Sequence, residues 1–124
     1  PARQFAQANN TKRRSDMIAL LNAIHQFAAN NRGNLPAGIP QTPAVAAVIG
    51  NAVGELDLCD TLTTEYISAL PRDPIQNLGD VTDCIAGHST GYTVVRDAAN
   101  RVTVAAPSLD LSVEPSGATN SVTR

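Results

Sequence analysis

The longest periodic signal lies near the start of the chain. In "SDMIALLNAIHQFAANN", Met17, Leu20, Leu21, Ile24, Phe27 and Ala28 recur at the three- and four-residue intervals that place them on one helical face. Traced backwards by the same steps, this stripe meets Arg14, Arg13 and Asn10, so the apolar face begins abruptly at Met17. The preceding "PARQFAQANNTKRR" still favours helix: proline is tolerated at a first helical position, and Ala, Gln and Arg propagate one. These readings predict one long helix over 1–32, ended by Gly33 in a left-handed cap and by Pro36. About a dozen of its residues, at about 1.5 Å of rise each, would project roughly 20 Å beyond any core. A free polar helix of that length is marginal in water, so either a partner molecule or further helix is expected to hold it.

From 33 to 91 the pattern breaks into short helices and loops. Thr42 and Pro43 read as an N-cap and first turn, predicting a short helix in "PAVAAVIGNAVG". "TTEYISAL" reads as another, ended by Pro71, and "PRDPIQNLGDVTDCIAGHSTG" as a long loop dense in turn residues. Strand character then takes over across 92–114. "GYTVVRD" and "RVTVAAP" are β-rich runs at hairpin spacing, with Tyr92 and Val94 on one face and Val102 and Val104 together on the return strand. A hairpin alone is marginal, and "LDLSVE" is expected to add a third strand. The tail 115–124 is small and polar and is expected to be mobile. The order implies one α+β domain over 1–124: a long helix against a small antiparallel sheet, with a core of Met17, Leu20, Leu21, Ile24, Phe27, Tyr92, Val94, Val102 and Val104.

Composition sharpens this picture. The 124 residues include no Trp, two Tyr and two Phe, so the hydrophobic fraction is carried by Ala and Val and the core is thin. Cys59 and Cys84 lie in a stretch rich in turn residues, which reads as a disulfide formed in an oxidising compartment. The other readings are two free thiols, or a metal site using His88. Structural zinc sites usually show two closely spaced ligand pairs, and here there is one. A net charge of −2 provides no field to draw nucleic acid, and the three basic residues of "TKRR" carry no interleaved aromatics. No stretch is apolar enough to span a bilayer. The first residue is not methionine, which suggests a processed chain.

Candidate chemistry is sparse. His25 sits beside the apolar stripe as a boundary residue. His88 precedes Ser89, but adjacent residues do not normally align hydroxyl and imidazole, so His88 reads as a solvated loop histidine. Neither a phosphate loop nor a dinucleotide fingerprint is present. Asp73, Asp80 and Asp83, with Asn77, are weak calcium candidates, but their spacing is not that of an EF-hand, and turn and capping roles fit them better. Asn9-Asn10-Thr11 matches a glycosylation sequon and is read as chance. No catalysis and no cofactor are expected.

The long helix, the "LPRDP" segment and "TGYTVVRDAANRVTVAAP" together resemble the type IV pilins and the pseudopilins of type II secretion. In that family the helix continues upstream as about twenty apolar residues, a membrane-spanning length. This segment anchors the subunit before assembly and packs in the filament core afterwards. The resemblance implies a structural subunit of a cell-surface filament used in adhesion, motility or DNA uptake, assembling with copies of itself and other pilins. Ala2, Phe5, Ala6, Lys12, Arg13 and Arg14 would lie on the filament-contact part of the helix, the small residues allowing close approach and the basic ones meeting acidic surfaces on neighbours. The alternatives are a periplasmic pseudopilus of a secretion system and a small secreted protein-binding module unrelated to pili.

Overall fold

A computed structural model describes all residues 1–124. Helix α1 runs over Ala2–Asn30, opening with a bond from the Phe5 N–H to the Pro1 carbonyl. It closes where the Asn31 and Gly33 N–H groups both reach the Ala28 carbonyl, with Gly33 at φ +83°. That left-handed conformation costs glycine nothing and ends the helix two residues before its predicted limit.

Four strands form one antiparallel sheet in chain order: β1 (Ala47–Gly50), β2 (Ser89–Arg96), β3 (Val102–Ala105) and β4 (Ser121–Thr123). β2 and β3 are the predicted hairpin, with Thr93 opposite Ala105 and Arg96 opposite Val102. Alternation buries Thr90, Tyr92 and Val94 on β2 and Val102 and Val104 on β3. These side chains meet Met17, Leu20, Leu21 and Ile24 from α1, all fully buried. Phe27 is only partly buried and stacks edge-on against Tyr66, with ring centroids 5.8 Å apart.

Four local expectations are corrected. "PAVAAVIGNAVG" holds strand β1, not a helix: Ala47 faces Val94 and Val48 faces Thr93, and Thr42–Pro43 is a cis peptide instead of a helix start. Ala is a helix former, but β-branched Val48 and Ile49 gain more by extending the sheet, with Ile49 buried. "TTEYISAL" is not helical. A single turn, α2 (Cys59–Leu62), forms just before it, and Thr64 bends the chain at φ +69°. "LDLSVE" forms a 3-10 turn over Leu111–Val113, because the Asp110 carboxylate takes the Ser112 N–H at 3.0 Å and favours a turn over a ladder.

The fourth correction concerns the tail, which supplies the third strand of the hairpin layer. Val122 pairs with Val104, the Thr123 hydroxyl lies 2.7 Å from that of Thr103, and the backbones of Arg124 and Val102 exchange both hydrogen bonds.

Cys59 and Cys84 form a disulfide with a Cα–Cα separation of 5.5 Å, closing a loop with a sequence separation of 25. A cross-link of that span stabilises by about 3 kcal/mol through the unfolded chain. The oxidised protein should therefore show no free thiol, and reduction should lower its melting temperature by roughly 10 °C. Two titratable thiols before reduction, or an unchanged melt after it, would contradict this.

Candidate assembly interface on the long helix

None of residues 1–9 is buried; Phe5 is 70% exposed, Ala2 is exposed and Ala6 is half-buried. At Asn10 the helix enters the body. Its side-chain amide donates to the Asp110 carbonyl at 2.8 Å, while its oxygen accepts the Asp110 N–H at 3.0 Å. The same oxygen accepts from Arg13 Nη1 at 3.1 Å. This residue therefore satisfies a loop backbone as a neighbouring strand would.

Arg13 is buried against Asp73, Nε lying 3.1 and 3.0 Å from the two carboxylate oxygens. Asp73 also accepts the Ile75 N–H at 2.9 Å, and its own N–H donates to the Thr90 carbonyl on β2. On one flank, Lys12 contacts Asp16 at 2.6 Å, Asp80 at 3.0 Å and the Arg72 carbonyl at 3.2 Å. On the other, Arg14 pairs with Glu114 at 2.6 Å and with the Thr119 carbonyl at 3.1 Å.

The expectation of contact with neighbouring subunits is corrected for Arg13, which is enclosed; Lys12 and Arg14 also find acids in this chain but stay partly exposed. The burial had a sequence signal, since the backward-traced stripe lands on Asn10, Arg13 and Arg14. The partners had none, because Asp73, Glu114 and Asp110 lie 60 or 100 residues away. Ahead of this clamp, Ala2–Ala8 holds no buried residue, with Phe5 the most exposed large apolar side chain of the segment and Ala6 half-buried.

Tyr92 joins this polar clamp to the core. Its ring is fully buried and its hydroxyl donates to Asp16 at 2.6 Å. Burial pushes the Asp16 carboxyl above its ordinary range, and hydrogen bonds from Lys12 and Tyr92 reverse this only in part. Burial also opposes the charge on Lys12, but that ammonium sits between two carboxylates and is held above its usual value. Burial and the adjacent Asp16 carboxylate likewise push the Tyr92 hydroxyl far upward, so it remains a donor.

The other candidates do not converge. His25 Nε2 lies 3.0 Å from the Arg124 carbonyl. His88 is buried and not solvated, with Nδ1 against the Ala86 carbonyl at 2.9 Å and Nε2 without a partner. The Ser89 hydroxyl donates to Glu55 at 2.6 Å, so it is not paired with His88. Asp73 and Asp80 are engaged by cations, while Asp83 caps the Ile85 N–H at 3.0 Å. No three His, Cys, Asp or Glu residues gather as a metal site, and no helix is long and apolar enough to cross a membrane. No family model, curated protein or solved structure matches the chain.

Removing one member of a buried ion pair strands the other. Arg13→Ala and Asp73→Ala should each cost about 3–5 kcal/mol, and the Arg13→Ala/Asp73→Ala double variant should cost less than their sum by about 2 kcal/mol or more. Urea melts of the four proteins test this; additive losses would show no coupling.

Asp16 also generates a pH dependence. Its folded pKa is raised, so the native state holds its proton where the unfolded chain has lost it, and stability falls as pH rises from about 4 through the folded value. The stability of wild type relative to Asp16→Asn should thus be greatest near pH 3 and shrink toward pH 7, as read from urea melts across that range. A difference that grows with pH would reverse the assignment.

Proposed function

We propose that this chain is the head of a filament subunit of the type IV pilin kind. The observation that carries the proposal is the division of α1. From Asn10 onward the helix is fastened to the head by polar clamps and then by the core, whereas Ala2–Ala8 stands clear of it with Phe5 in solvent. A rigid helix held at the rear and free at the front suits a subunit that packs its front among neighbouring helices and displays its α+β head outward. Copies related head to tail make a heterologous contact that need not close, and such contacts generate fibres. Small Ala2, Ala6 and Ala8 permit close helix approach around Phe5. The proposed role is structural, in a fibre at the cell surface serving adhesion, motility or DNA uptake, with an apolar membrane-anchoring segment ahead of Pro1. The engaged carboxylates of Asp73 and Asp80 support capping and anchoring roles in the loop that carries "LPRDP".

The deciding experiment is intact mass and N-terminal sequencing of the protein from its own cells. A native chain extended by about twenty apolar residues, opening on a methylated Phe or similar residue, is the expected result. A native chain that begins at or near Pro1 would overturn the proposal. In the same cells Phe5→Asp should abolish fibres by electron microscopy while leaving the melting temperature of the isolated head within about 1 °C, as expected for an exposed site.

A further inference from the structure

A cavity of about 260 Å³ lies at the other end of the head, between the loop that follows α1 (34–39) and the turn from β2 to β3, and is lined by Arg96 and Asn100. Arg96 is fixed here by neutral groups. Its Nε donates to the Ile39 carbonyl at 3.2 Å, and its Nη1 to Gln41 Oε1 at 2.8 Å and Asn100 Oδ1 at 3.1 Å. Its backbone clamps the same loop, the N–H donating to the Pro40 carbonyl and the carbonyl accepting the Thr42 N–H. The guanidinium is thus held in one orientation, with Nη2 finding no acceptor in the protein.

This cation also lacks a carboxylate, as do Arg3, Arg32, Arg72 and Arg124, whereas Lys12, Arg13, Arg14 and Arg101 each pair with one. The neighbouring Asp97 is occupied by the Arg101 side chain and by the Ala99 and Arg101 N–H groups. Asn34 and Asn100, both exposed, line the same cavity, and their side-chain amide nitrogens have no protein partner. Gly38 in the loop wall sits at φ +93°, a conformation that a side chain would strain. A preorganised guanidinium matches a carboxylate, and free amide N–H groups match hydroxyl oxygens. With a single cation present, the site is poorly matched to a doubly charged phosphate. Its volume lies below the ~300–1,000 Å³ of drug-sized ligand sites, which limits the ligand to about one sugar ring.

We infer that this cavity binds a small ligand joining a carboxylate to several hydroxyls, the chemistry of a uronic-type sugar acid, with Arg96 taking the carboxylate and Asn34 and Asn100 the hydroxyls. The inference does not depend on filament assembly.

The test is an amide-resolved NMR titration of the 124-residue chain with sodium D-glucuronate, beside D-glucose and sodium acetate at matched ionic strength. Glucuronate should give saturable shifts at Asn34, Gly38, Arg96 and Asn100, with affinity at least about tenfold above that of glucose or acetate, as expected when a charge-assisted contact is added to hydroxyl recognition. Arg96→Gln should weaken glucuronate by about tenfold or more. Because Arg96 also holds the loop, Asn34→Asp on an exposed residue serves as the second variant: its carboxylate should compete for the guanidinium and weaken binding comparably, with the remaining amide spectrum unchanged. No shifts at these residues, an equal response to acetate and glucuronate, or undiminished binding by Asn34→Asp would each overturn the inference.

Discussion

The fold depends on a charge taken out of water. Arg13 and Asp73 are both enclosed, and removing two ions from solvent costs several kcal/mol apiece unless each is fully engaged. Both are engaged: the guanidinium meets two carboxylate oxygens and Asn10, while the carboxylate also takes the Ile75 N–H. Such a pair tolerates little displacement. It therefore fixes the loop carrying Asp73 against α1, and through the bond from the Asp73 N–H to the Thr90 carbonyl it fixes the start of β2 as well.

A thin core makes this constraint matter. Without Trp and with one fully buried aromatic ring, Tyr92, the apolar contacts of Met17, Leu20, Leu21 and Ile24 cover only the rear of the helix. Long loops cross the rest, and their backbone groups need partners. Asn10, Lys12 and Arg14 supply these to the segments around Asp110, Arg72 and Thr119, while the disulfide ties the middle excursion to α2. Tyr92 spans the two regimes, its ring in the core and its hydroxyl on Asp16, so disturbance of the polar layer is felt in the sheet.

What the sequence revealed follows from the range of each interaction. The helix period, its glycine stop and the β2–β3 hairpin are local patterns, and they were legible. The cysteine pair was legible from its setting. β1 was not, because "AAVIG" has helix-forming alanines and becomes a strand only when β2 offers a partner. β4 was not, since "SVT" in a polar tail gains its order from Val104 and Thr103. The polar clamp was half legible: the stripe continued backward onto Asn10, Arg13 and Arg14, but the acids that make those positions buriable lie far along the chain. Polar residues at core phase of a helix should thus be read as candidates for burial as well as for solvent or a partner.

The clamp also sets the mechanics of the molecule. Because Asn10 binds both backbone groups of Asp110, and Arg13 is locked one turn later, the helix leaves the head at a fixed point and angle. A helix of 29 residues, at about 1.5 Å per residue, spans roughly 43 Å. Its free front and the Arg96 cavity lie toward opposite ends of that rod. In the proposed fibre the front would be covered by neighbouring helices, and the cavity, formed by the loop beyond the helix and the β2–β3 turn, would remain turned outward. Assembly and ligand capture would then use separate surfaces, joined by a stiff element whose direction is set by the Asn10 clamp and the buried Arg13–Asp73 pair.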